Sequence, residues 1–148
     1  RIVQCSSVLG FVAMKWRGAY VSTKFALEGL TDALRLEMAG TDIKVSIIDP
    51  GPIETDFRKN AIKEFERWID WENSPRADQY RDSLLNQLYK GSSDGPQWPA
   101  SAVTRKLIHA LDHPRPKPRY YVTTPTYLMG AARRVLPTRT LDWLLSKG

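Results

Sequence analysis

The fold of this chain is decided by residues 1–52, which read RIVQCSSVLGFVAMKWRGAYVSTKFALEGLTDALRLEMAGTDIKVSIIDPGP. Residues 1–6 and 43–48 are short runs rich in β-branched residues, so both are predicted strands. Between them, residues 19–39 repeat Leu and Met at spacings of three and four, which predicts a helix that stops at Gly40. Strand, helix and strand with short connections form a right-handed crossover unit, so the sheet is predicted to be parallel.

The rest of the chain is predicted to add helices and one more strand. The segments are two amphipathic helices within 56–91 that break at Ser74-Pro75, a loop over 92–99, a helix over 100–112, a strand over 120–122 and a basic helical tail over 126–148 that is interrupted at Pro137. A length of 148 residues predicts a single domain over 1–148. The expected class is therefore α/β, a Rossmann-like doubly wound parallel sheet of which about three strands are present.

Composition narrows the function classes. From Arg105 onward there are nine Lys or Arg and two acidic residues, whereas residues 1–104 carry thirteen and fourteen, so the basic charge belongs to the C-terminal end. No run approaches the roughly 18 apolar residues of a membrane-spanning helix. The single Cys5 excludes an internal disulfide, is expected to be buried in its strand, and fits a reducing compartment. The expected location is the cytoplasm, with or without attachment to a membrane surface.

Three side chains suggest the chemistry. Reduction of a carbonyl by hydride needs a proton donor at the developing alkoxide and a second donor that polarises the same oxygen. Tyrosine can serve as the first donor when a nearby cation favours its ionised form. Lys24 follows Tyr20 by one helical turn and would supply that cation, while Ser7, at the end of the first strand, would polarise the oxygen. A lone YxxxK also fits a half-buried tyrosine beside a lysine with no catalytic role.

The context resembles the short-chain dehydrogenase/reductase family. SSVLG follows a strand, Tyr20 follows Ser7 by thirteen residues within YVSTK, and a second strand leads into PGPIET. The content, order and spacing are similar to the hydroxysteroid- and retinol-dehydrogenase-like branch. The resemblance implies that Tyr20 is the general acid/base, that Ser7 orients the carbonyl, and that Lys24 assists the tyrosine and holds the nicotinamide ribose.

The same resemblance implies a cofactor site after the second strand. It places contacts to the nicotinamide carboxamide at Pro50, Gly51, the backbone of Ile53, and Thr55, and adds Tyr20 and Lys24 as further cofactor-binding residues. It also implies an alcohol or ketone substrate, a substrate flap over residues 56–91, and a homo-oligomer that uses the Tyr/Lys helix. The aromatic residues Trp68 and Trp71 suggest a lipophilic substrate.

Family elements that precede the serine strand are not found in this sequence. These are the glycine-rich dinucleotide turn, the residue that selects NAD or NADP, and the asparagine of the catalytic tetrad. We therefore interpret the 148 residues as the C-terminal half of an NAD(P)-dependent oxidoreductase that is inactive as an isolated fragment, with NADP placed before NAD. The alternative is a non-catalytic scaffold or fragment that acts by binding a protein or a membrane surface.

Other functions have weaker support. CSSVLG lacks the first glycine of a serine-hydrolase elbow. His109, Asp112 and His113 share a helix, but the sequence adds no further ligand cluster, so no metal site is predicted. The tail contains Arg133, Arg134 and Arg139 among apolar residues, which fits a helix packed on a subunit or, as the alternative, contact with a membrane surface. It has no stacking platform for nucleic acid, so no nucleic-acid partner is expected.

Overall fold

The computed structural model describes residues 1–90 and 97–146. It contains a parallel sheet in the order β1-β2-β3, formed by β1 (Ile2–Cys5), β2 (Val45–Asp49) and β3 (Arg119–Tyr121). The helices are α1 (Gly18–Glu37), α2 (Phe57–Trp68), α3 (Ala77–Gln79), α4 (Leu85–Lys90), α5 (Ser101–Asp112), α6 (Thr124–Val135) and α7 (Thr138–Leu145). The predicted α/β class and the three parallel strands are confirmed.

The chain divides into two compact units, and the sheet lies in the first. Within the described residues, the first unit comprises 1–53 and 97–146 and the second comprises 54–90. The second unit contains α2, α3, α4 and a π-helical turn at Tyr80–Leu84. A hydrogen bond of 2.7 Å from Tyr89 Oη to Glu66 Oε1 joins α4 to α2. These helices fall within the predicted 56–91 segment, whose last residue lies outside the described ranges, as do residues 92–96 of the predicted loop.

The central strand β2 is buried along its whole length. Consecutive strand residues point to opposite faces of a sheet, so Ile48 and Asp49 face different layers. Ile48 packs in an apolar core with Ala102 and Ala110 of α5. Asp49 faces the other layer, where it meets a side chain of α1. Helices therefore cover both faces of the sheet, as a parallel sheet requires.

The helix α1 has a different buried face from the one that its leucines suggested. Glu28 and Thr31 are buried, whereas Leu30 is 62% exposed. The helix ends as predicted, since Gly40 has a φ of +87°, a left-handed conformation that glycine adopts without strain. Because several faces of α1 carry apolar residues, spacing alone does not identify the face that meets the sheet.

The expectation that Cys5 is buried is wrong, because its side chain is exposed. In the described sheet, β1 has a strand neighbour on one side only, β2. The last residue of such a strand has less protein around it than a residue of β2.

The C-terminal segment forms two helices, as predicted. The helix α6 has Pro125 in its first turn, where backbone N–H groups have no partner within the helix and proline is therefore tolerated. Pro137 lies between α6 and α7, and its carbonyl accepts hydrogen bonds from Thr140 N–H and Leu141 N–H at the start of α7. The last two residues of the predicted tail, 147 and 148, lie outside the described ranges. None of the helices in residues 1–90 and 97–146 combines the length and hydropathy that crossing a membrane would need.

Candidate active site

The carboxyl ends of β1 and β2 are joined by backbone hydrogen bonds that continue past the paired strand residues. Ser6 N–H donates to the Ile48 carbonyl at 2.8 Å, and Val8 N–H donates to the Pro50 carbonyl at 2.9 Å. Ser7 lies between these two bonds. The structure therefore brings Ser7 and the turn at Pro50 to the same edge of the sheet, as the crossover unit predicts.

Ser7 caps a short 3-10 helical turn at Val8–Gly10. Its backbone is extended, and its Oγ accepts a hydrogen bond of 3.2 Å from Leu9 N–H. The residue is half-buried. A hydroxyl that accepts a bond through a lone pair retains its own hydrogen for donation, so capping leaves Ser7 able to polarise a carbonyl oxygen.

Tyr20 and Lys24 lie in the first two turns of α1, which packs against the turn that follows Ser7. Lys24 Nζ donates a hydrogen bond of 3.0 Å to the carbonyl of Cys5, two residues before Ser7. The same ammonium lies 5.7 Å from the centroid of the Tyr20 ring. The Lys24 ammonium is therefore hydrogen-bonded to the end of β1 and lies near Tyr20, so α1 and β1 both contribute residues to the candidate site.

The turn after β2 is packed tightly against the residues after β3. A Cβ added to Gly51 would lie 2.5 Å from Thr126 Oγ1 and even closer to Thr123 Oγ1. Both threonines are fully buried, and their hydroxyls lie 2.9 Å apart in a hydrogen bond. Glycine is required here because any side chain would collide with this pair. The threonine pair was not predicted, since nothing in the local sequence of residues 123–126 points to the turn at Gly51.

The other predicted cofactor residues lie in two units. Ile53 forms an isolated parallel bridge with Trp98. The backbone N–H of Trp98 donates a hydrogen bond of 3.0 Å to the Pro52 carbonyl. Thr55 belongs to the second unit, where its Oγ1 accepts a hydrogen bond of 3.4 Å from Phe57 N–H at the start of α2. Pro50, Gly51 and Ile53 thus follow β2 within the first unit.

A buried cluster of charged side chains, which the sequence did not predict, lies next to the turn at Pro50. Arg119 Nη1 lies 2.6 Å from Glu28 Oε2 and 2.7 Å from Asp49 Oδ2, so one guanidinium nitrogen meets two carboxyl groups. Asp49 is fully buried and Glu28 is 7% exposed. Burial, together with the hydrogen bond and the charge of Glu28, raises the pKa of Asp49 to about 8, and Arg119 offsets only part of this.

One local signal could have indicated the cluster. Asp49 ends an otherwise apolar strand and immediately precedes Pro50. A carboxylate at the end of a fully buried strand needs a partner, because an unpaired buried charge is costly. The identity of the partners depends on how α1 and β3 are placed, and Arg119 is 70 residues away along the chain.

His109 of α5 and His113, which directly follows that helix, both contact neighbouring side chains. His109 Nδ1 lies 2.9 Å from Tyr120 Oη, and the His109 and His113 rings stack with centroids 4.5 Å apart. Within residues 1–90 and 97–146, no three His, Cys, Asp or Glu side chains gather as metal ligands.

Comparison with known proteins finds that the chain is similar to dehydrogenases and reductases. The family model described as short chain dehydrogenase matches residues 1–66. An uncharacterized oxidoreductase, YbbO, of Escherichia coli strain K12 is 38% identical over 98% of this chain and 48% of its own length. An NADPH-dependent 3-dehydrocapnine reductase of Ornithobacterium rhinotracheale is 30% identical over 99% of this chain and 50% of its own length.

A solved structure has the same fold. A short chain dehydrogenase from Burkholderia cenocepacia J2315, in complex with NADP, superposes with a TM-score of 0.65 at 16% identity, over 99% of this chain and 47% of that one. The chain spans about half the length of the curated relatives it matches.

Proposed function

We propose that this chain, which belongs to the short-chain dehydrogenase/reductase family, is the catalytic part of a longer oxidoreductase that transfers a hydride between a nicotinamide nucleotide and an alcohol/ketone pair. The observation that carries the proposal is the position of Lys24. Its ammonium bonds the Cys5 carbonyl at the end of the Ser7 strand and lies beside the Tyr20 ring. A serine, a tyrosine and a lysine are thus supplied by elements that pack together, in the order that the family resemblance requires.

Each side chain has one role in the proposed reaction. The Tyr20 phenol gives a proton to the oxygen of a ketone during reduction and takes it back during oxidation. The Ser7 hydroxyl donates a hydrogen bond to that same oxygen as negative charge develops on it. Lys24, whose ammonium lies 5.7 Å from the centroid of the Tyr20 ring, would hold the nicotinamide ribose beside the phenol.

We propose that the residues after β2 hold the nicotinamide end of a nucleotide. The place that a Cβ of Gly51 would take is filled by the hydroxyls of the threonine pair, so the turn packs closely against the residues after β3. Pro50, Gly51, Ile53 and Thr55 would contact the nicotinamide end, and Tyr20 and Lys24 would contact the ribose. The nucleotide supplies the hydride when it is bound. We place NADP before NAD, in keeping with the NADPH-dependent relative.

The direct test replaces the proton donor in the full-length protein that contains this chain. Tyr20→Phe should lower kcat for ketone reduction by about 10² to 10⁴-fold, the usual contribution of a positioned general acid. The matched control is Tyr127→Phe, which removes the same hydroxyl from a half-exposed tyrosine of α6 and should leave kcat unchanged. Equal activity of Tyr20→Phe and the unmodified protein would favour the non-catalytic scaffold instead.

We further propose that the 148 residues alone are inactive, because the turn that would hold the pyrophosphate of a dinucleotide is not among them. Titration of the isolated chain with NADPH should give no saturable binding in the micromolar range, whereas the full-length protein should bind. Micromolar binding by the isolated chain would refute this proposal.

The second unit supports a proposal for the substrate. Residues 65–72 line an open groove in which Phe65, Trp68 and Trp71 stand among charged side chains, and Trp68 is 67% exposed. Aromatic faces favour bulky apolar ligands over small polar ones. We therefore assign this unit the role of a substrate flap for a lipophilic alcohol or ketone. Comparing kcat/KM for steroid, retinoid and long-chain ketones with that for keto sugars tests the assignment, which fails if only the sugars react.

The helix that carries Tyr20 and Lys24 supports a proposal about assembly. Leu30 and Leu36 of α1 are 62% and 72% exposed, which is unusual for leucines within one helix of a folded chain. We propose that a second copy of the full-length protein covers them in a homo-oligomer. Leu30→Glu should shift the full-length protein to a smaller species in sedimentation, and an unchanged mass would contradict the proposal.

The C-terminal helices support a proposal about location. Leu128, Val135 and Trp143 are more than half exposed, in a segment that also carries Arg133, Arg134 and Arg139. We propose a cytoplasmic protein whose tail contacts anionic lipid at the surface only. Flotation with phosphatidylserine vesicles should be lost on Trp143→Glu and kept on Trp68→Glu, a matched change in the second unit. Failure of the unmodified protein to float would refute lipid contact.

A further inference from the structure

The buried cluster of Glu28, Asp49 and Arg119 has no role in the reaction described above. Its members belong to three different elements, α1, β2 and β3. Arg119 Nη1 bridges the two carboxyl groups at 2.6 and 2.7 Å, and its own side chain is only 22% exposed. Two carboxyl groups thus meet one guanidinium in a place that water barely reaches.

When both carboxyl groups of the cluster are ionised, some of their buried oxygens have no hydrogen-bond donor. Among the described residues, Glu28 Oε1, Glu28 Oε2 and Asp49 Oδ1 are buried without a well-aligned hydrogen-bond partner, although Glu28 Oε2 lies within ion-pair distance of Arg119 Nη1 at 2.6 Å. An ionised carboxylate only accepts hydrogen bonds, so two neighbouring carboxylates do not satisfy one another. A single proton between them would turn one into a donor, and like charges held this close favour that state.

The neighbouring groups do not supply the missing positive charge. Asp32 lies 3.9 Å from Arg119 Nη2 and adds a further negative charge, although it is half-exposed and its Oδ1 is bonded to Arg35 at 2.7 Å. The 3-10 turn contributes Gly10, on which a Cβ would lie 2.7 Å from Glu28 Oε1 and 2.6 Å from Ser6 Oγ. That buried hydroxyl is neutral, so Arg119 remains the cation of the cluster within the described residues.

The cluster lies between the two parts of the proposed active site. Glu28 follows Lys24 by one turn of α1, and Asp49 directly precedes Pro50 and Gly51. We infer that Glu28 and Asp49 share one proton and that, with Arg119, they are positioning residues that hold the Tyr20 and Lys24 helix in register with the turn at Gly51. This inference rests on the proposed function for its catalytic consequence, whereas the shared proton does not depend on it.

Infrared spectroscopy of the full-length protein tests the shared proton without an activity assay. A protonated carboxyl group has a carbonyl stretch distinct from that of a carboxylate, and ordinary carboxyl groups are ionised at pH 6.5. The unmodified protein should show that band at pH 6.5. Asp49→Asn and Glu28→Gln should each abolish it, because the remaining carboxylate then pairs with Arg119 and accepts a bond from the new amide. Asp112→Asn, an exposed change on α5, should leave it unchanged.

Absence of the band from the unmodified protein at pH 6.5, or its persistence in both amide variants, would overturn the shared proton. If neither amide variant folds, the unmodified protein still decides the matter. Its band should disappear as the pH is raised into the alkaline range, and a band that is never present refutes the inference.

Kinetics test the positioning role. In the unmodified protein, kcat should fall as the infrared band disappears, because two carboxylates then repel each other between α1 and β2. The fall in kcat that accompanies loss of the band should be absent from Asp49→Asn and present in Asp112→Asn. Arg119→Met should lower kcat by at least about tenfold at pH 6.5 with little change in KM, as expected when reacting groups are displaced.

These experiments can refute the positioning role, the proposed function and the shared proton independently of one another. An Asp49→Asn profile that retains the full alkaline decline would refute positioning by the pair, even if the band is present. A full-length protein that reduces no ketone at all would refute the proposed function, while the infrared band would still establish or refute the shared proton.

Discussion

Replacing Asp49 by asparagine should remove a pH dependence of stability that this carboxyl group imposes on the folded protein. In the folded state the pKa of Asp49 is raised to about 8, first by burial and then by Glu28, from an ordinary value of 3.8. Between these two values, the folded state holds a proton on this group that the unfolded state has released. Folding therefore takes up about one proton in this window.

The sign and size of the effect follow from that difference. The unfolded state binds fewer protons than the folded state, so the free energy of unfolding falls as the pH rises. One proton corresponds to about 1.4 kcal/mol per pH unit. Stability contributed by this group is fully present below pH 3.8 and is lost as the pH rises to about 8. Between pH 5 and pH 7, the expected loss is about 3 kcal/mol.

Urea unfolding of the full-length protein at pH 5, 6 and 7 measures this slope directly. The unmodified protein should lose stability across the series, and Asp49→Asn should lose about 3 kcal/mol less. The change Asp112→Asn, on the exposed end of α5, should keep the slope of the unmodified protein. Equal losses of stability in the unmodified protein and Asp49→Asn would show that Asp49 is not protonated in the folded state, and the reasoning would be wrong.

Two further predictions concern packing, and both are checked by urea unfolding of the full-length protein. Gly51→Ala should lower the free energy of unfolding by about 1–3 kcal/mol, because its new Cβ would lie 2.5 Å from Thr126 Oγ1. Gly29→Ala, whose Cβ would have no atom within 4 Å, should leave that free energy unchanged or raise it. Equal effects of the two changes would contradict the close approach at Gly51. Ile48→Ala should lower the free energy of unfolding by about 2–5 kcal/mol, because this side chain is 2% exposed in the core. The matched change Ile108→Ala, at a side chain of α5 that is 52% exposed, should change it by less than about 1 kcal/mol. A reversed order would refute the assignment of Ile48 to the core.

The order of elements could be predicted from the sequence because it depends on local signals. Short β-branched runs gave β1 and β2, and Gly40 marked the end of α1 because its positive φ is a local requirement. Pro137 similarly marked the boundary between two helices. These signals act within a few residues, so the rest of the fold is not needed to interpret them.

The burial of individual side chains could not be predicted in the same way. Leu30 has the spacing of a core residue and is exposed, whereas Glu28 has the chemistry of a surface residue and is buried. The reason is that Glu28 has Arg119 as a partner, on a strand far along the chain. Similarly, Gly51 is explained by threonines that follow β3. Partners at long range decide which helix face meets the sheet, and spacing contains no information about them.

The family motifs indicated the candidate catalytic residues, but their supports became visible only in the structure. Lys24 was chosen for its spacing from Tyr20, whereas its hydrogen bond to the Cys5 carbonyl depends on the approach of α1 to β1. The carboxyl pair had no motif, although Asp49 at the end of an apolar strand was a signal of a buried partner.

The hydrogen bond from Val8 N–H to the Pro50 carbonyl has a practical consequence for protein engineering. It fastens the loop after β1 to the loop after β2 outside the strands themselves. A loop exchange that imports a new sequence at one of these places would therefore disturb the other. Grafting of specificity from a relative should transfer both loops as a matched pair, with their two chain segments kept at native length.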